Sequence, residues 1–167
     1  MNLDIELQAK ILRERIEAAF TAAPIPTRDS MMGHGSLDEI WCAERLGGVP
    51  RETIPGDELF NLSDCLSYIP PEAIRYFLPR FLMHVLEPGN RFGSDLDCTL
   101  SYLDHRNRHE YPAFSKNQLG CVIDWLSFVR DYADAFDLEP HRKSYDRRVR
   151  AVFEQWSSVS TSSNVEE

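Results

Sequence analysis

In the stretch PPEAIRYFLPRFLMHVL, residues 70–86, the side chains of Ile74, Phe77, Leu78, Phe81, Leu82 and Val85 recur at helical spacing. Glu72, Arg75, Pro79 and Met83 fall on the opposite side. An apolar stripe of this kind demands a helix whose stripe is buried against other elements. Pro79 conflicts with that demand, because a proline inside a helix removes one N–H and crowds the carbonyl four residues back, at a cost of about 3 kcal/mol. The stripe nevertheless runs through Pro79 unbroken. The pattern therefore predicts a helix at 71–86 with an outward-facing proline that kinks it around a core, convex toward solvent. Arg75, Tyr76, Pro79 and Met83 become a candidate face for a protein partner, and an edge at Tyr76 and Met83 would equally suit a dimer.

The same period recurs along the chain. Ile5, Ala9, Leu12, Ile16 and Phe20 form a stripe over residues 4–20. TAAPIPTRDSMMGHG follows as a long loop. SLDE at 36–39 is a capping box opening a helix with Leu37, Ile40, Trp41 and Leu46 as its apolar side, stopped at Gly47-Gly48. Leu59, Leu62, Leu66 and Ile69 predict a short helix over 58–69, and Leu96, Leu100 and Leu103 another from residue 94. Ser115 and Gln118 form a second capping box, before a long helix through Val122, Trp125, Val129, Tyr132 and Phe136. Gly120 within it either permits close packing or has no role. A last helix begins near Pro140 and carries Tyr145, Val149, Val152, Phe153 and Trp156. No strand-like alternation competes with this period. The expected fold is all-α, a single compact domain of about six helices over residues 1–156, with a disordered polar tail at 157–167. Its expected core is Phe20, Trp41, Phe77, Phe81, Trp125, Val129 and Phe153.

LSYIPPEAIRYFLPRFLMHVL resembles the signature of a family of small bacterial proteins of unknown function, through Leu66, Pro71, Glu72, Ala73, Arg75, Tyr76, Leu78 and Pro79. FSKNQLGCVIDWL is similar to that family's second motif, through Phe114, Gln118 and Leu126. Pro70 departs from the pattern where the family tends to carry a small hydroxyl residue able to cap the helix. The resemblance implies a fold and supplies no activity, cofactor or catalytic residue.

Charge narrows the function classes. The chain of 167 residues has a formal net charge of −9, unevenly placed: −10 over residues 1–140, +4 over HRKSYDRRVR at 141–150, and −3 beyond. An acidic body repels phosphate, which argues against general nucleic-acid binding and suits a basic protein partner. Apolar runs fall short of the roughly 18 residues that span a bilayer, and the charged first residues do not read as a signal peptide. Cys42, Cys65, Cys98 and Cys121 are dispersed without a CxxC pair, as expected for buried thiols in a reducing, cytoplasmic setting.

Candidate chemistry is sparse. His105 and His109 stand four apart and would share a helix face as weak metal ligands, but Asn107 and Pro112 favour a loop. Asp95 and Asp97 splay apart on a helix. GxSxG, HExxH and a phosphate-cradling glycine loop are all missing from the sequence. Asp131, Asp134 and Asp137, at three-residue steps beside Tyr132 and Phe136, are the best candidate for an acidic contact surface. The expectation is a protein-binding protein without catalysis or cofactor, in concrete form an immunity protein that holds a toxic enzyme. The alternatives are a cryptic metal-assisted hydrolase at His105 and His109, and a nucleic-acid or regulatory adaptor acting through residues 141–150.

Overall fold

The computed structural model describes residues 3–21, 23–90, 93–104, 114–136 and 141–162. Seven α-helices, and no strand, are found among them: α1 (Leu3–Ala19), α2 (Leu37–Leu46), α3 (Gly56–Leu62), α4 (Pro71–Leu86), α5 (Gly93–Leu103), α6 (Lys116–Asp131) and α7 (Arg142–Ser162). The all-α single domain expected from the apolar period is what forms, with one helix more than the approximate six.

α4 lies at the centre and packs against both α1 and α5. It is helical straight through Pro79, but the expected orientation of that residue is wrong: Pro79 is buried, and so is Tyr76. Arg75 and Met83 are half-buried. The stripe that demanded burial was wider than its six residues, because Ala73, His84 and Leu86 are buried as well. Glu72, on the same side of the helix as Pro79, stays exposed, but Pro79 itself is covered. Tyr76 is held inside by specific bonds. The Arg51 backbone N–H donates to its hydroxyl oxygen at 3.2 Å, and the Arg51 guanidinium reaches the carbonyls of Tyr76 and Phe20, both at 3.1 Å. One arginine thus ties the end of α1, the turn after α2, and α4 together.

α1 packs on α6 and α4, and α6 on α7. α1 buries Ala9, Leu12 and Ile16, with Phe20 just beyond its end. Phe20 meets Phe114 edge-on at 5.9 Å between ring centroids, and Phe114 meets Trp156 of α7 at 5.7 Å. Both buried indoles find backbone acceptors, as a polar N–H in a core requires. Trp125 Nε1 donates to the Leu82 carbonyl at 2.9 Å, and Trp156 Nε1 to the Leu103 carbonyl at 3.0 Å.

Several expected boundaries and core residues change. The 58–69 run divides into α3 and a 3-10 turn at Ser63–Ser67, where the Ser63 hydroxyl donates to the Phe60 carbonyl. α6 ends at Asp131 and a 3-10 turn follows at Ala133–Ala135. α7 continues to Ser162, past the start of the expected disordered tail; the Ser158 hydroxyl bonds back to the Gln155 carbonyl and so fits the helix it extends. Phe153 is only partly buried, with the Arg130 guanidinium 4.7 Å from its ring centroid. Trp41 leaves the core altogether, for a reason that belongs to α2 and its surface.

Candidate partner-binding surface

α2 opens as its sequence predicts. The Ser36 hydroxyl accepts the Glu39 N–H at 3.2 Å, and the Glu39 carboxylate returns to the Ser36 N–H. Glu39 does more than complete the box. The same carboxylate oxygen also accepts the backbone N–H groups of His34 at 2.8 Å and Gly35 at 2.7 Å. The His34 amide, assisted by those of Ser36 and Gly35, holds the Glu39 carboxyl below its ordinary range against the opposing effect of burial. This nest of amides turns the Glu39 side of α2 inward. The buried face of the helix is therefore Glu39, Cys42, Ala43 and Leu46.

The opposite line is Leu37, Trp41 and Arg45, at i, i+4 and i+8. Leu37 is 85% exposed and Trp41 41%. The Arg45 guanidinium lies 4.9 Å from the Trp41 ring centroid, a cation–π contact, and reaches Glu58 of α3 at 3.9 Å. Phe60 and Tyr68, on α3 and just after the following 3-10 turn, are also largely exposed. Residues 36–69 hold seven carboxylates against Arg45 and Arg51, so this short region carries −5 of the chain's −9. Asp38 and Asp64 lie near enough to Cys42 to act on its charge, which places them beside the same helix. Of the seven carboxylates, Glu39 is turned inward, Glu52 lines a cleft with residues of α1 and α4, and Glu44 pairs with Arg28 at 3.5 Å, so the excess of negative charge beside the exposed Leu37 and Trp41 is smaller than the segment's total.

Sequence reasoning missed this surface by assigning Trp41 to the core and grouping Leu37 with it on one apolar side of the helix. α2 has apolar residues on two sides, and periodicity alone does not choose between them. The available signal was Glu39: a capping carboxylate that gathers loop amides pins its own side toward the loop and the body of the protein.

The residues singled out from sequence are scattered by comparison. Asp131 is paired with Arg130 at 2.7 Å, and that arginine lowers its pKa. Asp134 forms an ion pair with Arg142 of α7. Asp137 lies outside the described residues, as do His105 and His109. The acidic edge after α6 is thus partly neutralised by the chain's own cations. Met83 lines a cleft of about 490 Å³ between α1 and α4, together with Lys10, Arg13, Glu14, Glu52 and Arg80. Within the basic decapeptide, Arg148 pairs with Asp97 and donates to the Ser101 hydroxyl. Among the described residues no group of three or more His, Cys, Asp or Glu side chains is placed to hold a metal ion. Among those residues, too, no helix is long and apolar enough to cross a membrane. Cys42, Cys65 and Cys121 are buried free thiols and Cys98 is half-buried. Burial raises the pKa of Cys42, Cys65 and Cys121, which opposes nucleophilic chemistry at those three.

The fold and this surface describe a helical domain with an exposed, acidic, aromatic-bearing face. The profile described as "Family of unknown function (DUF6714)" matches residues 9–160, and the chain belongs to that family. No curated protein and no solved structure matches the chain.

Proposed function

We propose that the protein is a non-catalytic binding protein of bacterial, cytoplasmic setting. In this reading it recognises a basic protein partner through α2 and the α3 region, in the manner of an immunity protein covering the active site of a toxic enzyme. The observation that carries the reading is the exposed line Leu37, Trp41 and Arg45, in a sequence segment, 36–69, whose net charge is −5. Tryptophan and arginine are the residue types over-represented among interface hot spots. A surrounding excess of carboxylates accelerates encounter with a cationic surface and rejects acidic or phosphate-rich ones. The internal pairing of Arg142 and Arg148 further weakens the nucleic-acid alternative.

The test is capture from the native cell with immobilised wild-type protein and with Trp41→Ala as the parallel bait. A basic enzyme retained by the wild type, retained poorly by the variant and inhibited on binding is the expected result. Its association rate should fall steeply with added salt. A partner held equally by both baits, or one whose association rate ignores salt, would overturn the reading.

A further inference from the structure

α1 carries a second apolar line that the fold leaves uncovered. Leu3, Leu7 and Ile11 are 84%, 55% and 41% exposed. They follow one another at four-residue steps on the side of the helix opposite Ala9, Leu12 and Ile16, which face the core. A helix with apolar groups on two opposite sides is built to sit between two layers, and among the described residues only one of them is provided.

We infer that the missing layer is α1 of a second copy, packed antiparallel about a two-fold axis near Leu7. An isologous contact requires a self-complementary surface, since each residue meets the symmetry-related set. α1 meets that condition. With the axis at Leu7, Leu7 packs on its own copy and Leu3 on Ile11. In an antiparallel helix pair like flanks meet. Glu6 and Lys10 share one flank, so each Lys10 comes opposite the other protomer's Glu6, giving two reciprocal ion pairs. Lys10 is already exposed, 3.9 Å from Glu14. Three turns of a single helix cover well under the roughly 800 Å² per partner of a standard stable interface. The association is accordingly weak and reversible, populated at high local concentration. It uses a different helix from the α2 surface and does not depend on the function proposed for it.

The experiment is sedimentation equilibrium of the full chain from about 10 µM to about 1 mM, on the scale appropriate to so small an interface. The wild type should show a concentration-dependent monomer–dimer equilibrium. Leu7→Asp, at an exposed site, should weaken it by about tenfold or more, because each dimer loses two buried leucines and gains two facing carboxylates. Lys10→Glu and Glu6→Lys should each weaken dimerisation, and the double variant that exchanges the two charges should restore it. Circular dichroism melts of all variants separate loss of pairing from loss of folding. Wild type that stays monomeric across the range, as a face meant for another protein or a membrane surface would, overturns the assignment. So does failure of the exchanged pair to recover.

Discussion

Tyr76 shows what one hydroxyl does in a helical core. Its oxygen accepts the Arg51 N–H at the turn after α2, while the Arg51 guanidinium lies 5.2 Å from the Tyr76 ring centroid. Removing the hydroxyl strands a partly buried N–H, so Tyr76→Phe should lower unfolding free energy by about 1–2 kcal/mol, measured by urea denaturation. Gly120 is the opposite case. A Cβ built there meets nothing within 4 Å, so the close-packing reading of this glycine fails. Gly120→Ala should stabilise by up to about 1 kcal/mol through lower unfolded-state entropy and better helix propensity. Gly47, just past α2, is required: a Cβ there would come within 2.5 Å of the Arg28 backbone, and Gly47→Ala should destabilise or displace the 26–28 loop. Sequence inspection marks all three positions but does not grade them, because what separates Gly47 from Gly120 is a neighbour 19 residues away in the chain.

Among elements, α2 and α4 differ from expectation for one reason. Hydrophobic period locates a helix and its possible buried faces; the arrangement of neighbours decides how many of those faces are covered. α4 is covered on more sides than its stripe implies, so Pro79 and Tyr76 go inside. α2 is covered on fewer, so Leu37 and Trp41 stay outside. Because Pro79 is packed within the core, Pro79→Ala should recover much less than the about 3 kcal/mol that a mid-helix proline costs, since the lost ring atoms leave a void. A gain of that full amount in chemical denaturation would mean that the ring contributes no packing. The Glu39 cap adds a pH dependence. Its carboxyl has a lowered pKa in the folded state, so its stabilisation is complete above the unfolded value of about 4.3 and disappears as pH falls through the folded one. Thermal melts of wild type should lose stability on acidification from about pH 5 more steeply than melts of Glu39→Gln, which lacks that titration. Both capping boxes are legible from four letters each and form as read, since their bonds are local.

For the whole molecule, the all-α class and the pairing of capping signals with helix starts are written in local pattern, whereas the burial of the 71–86 run on the side of Tyr76 and Pro79 is not. The candidate surface is not. It exists because α2 rotates its Trp41 side away from the body, and that rotation follows from the Glu39 nest together with packing against the 3-10 turn at Ser63–Ser67. The acidic charge that surrounds it was visible as a total, and its concentration in residues 36–69 as a local count. What the count lacks is pairing: Asp131 and Asp134 have the same letters and are met by Arg130 and Arg142.

The docking of α1 has a consequence for the order in which the molecule is made. Its ties run to distant chain: the Gln118 amide donates to the Ala19 carbonyl and Arg15 pairs with Asp124 at 2.5 Å, across separations of 99 and 109 residues. During synthesis at about 5–20 residues per second, α1 emerges before α6 and waits several seconds for it. During that interval α4 is the only one of its two native packing partners, α4 and α6, already made. A helix made about 100 residues ahead of α6 therefore completes its packing only once that partner has been translated, and until then the nascent chain carries an apolar face that the native fold covers.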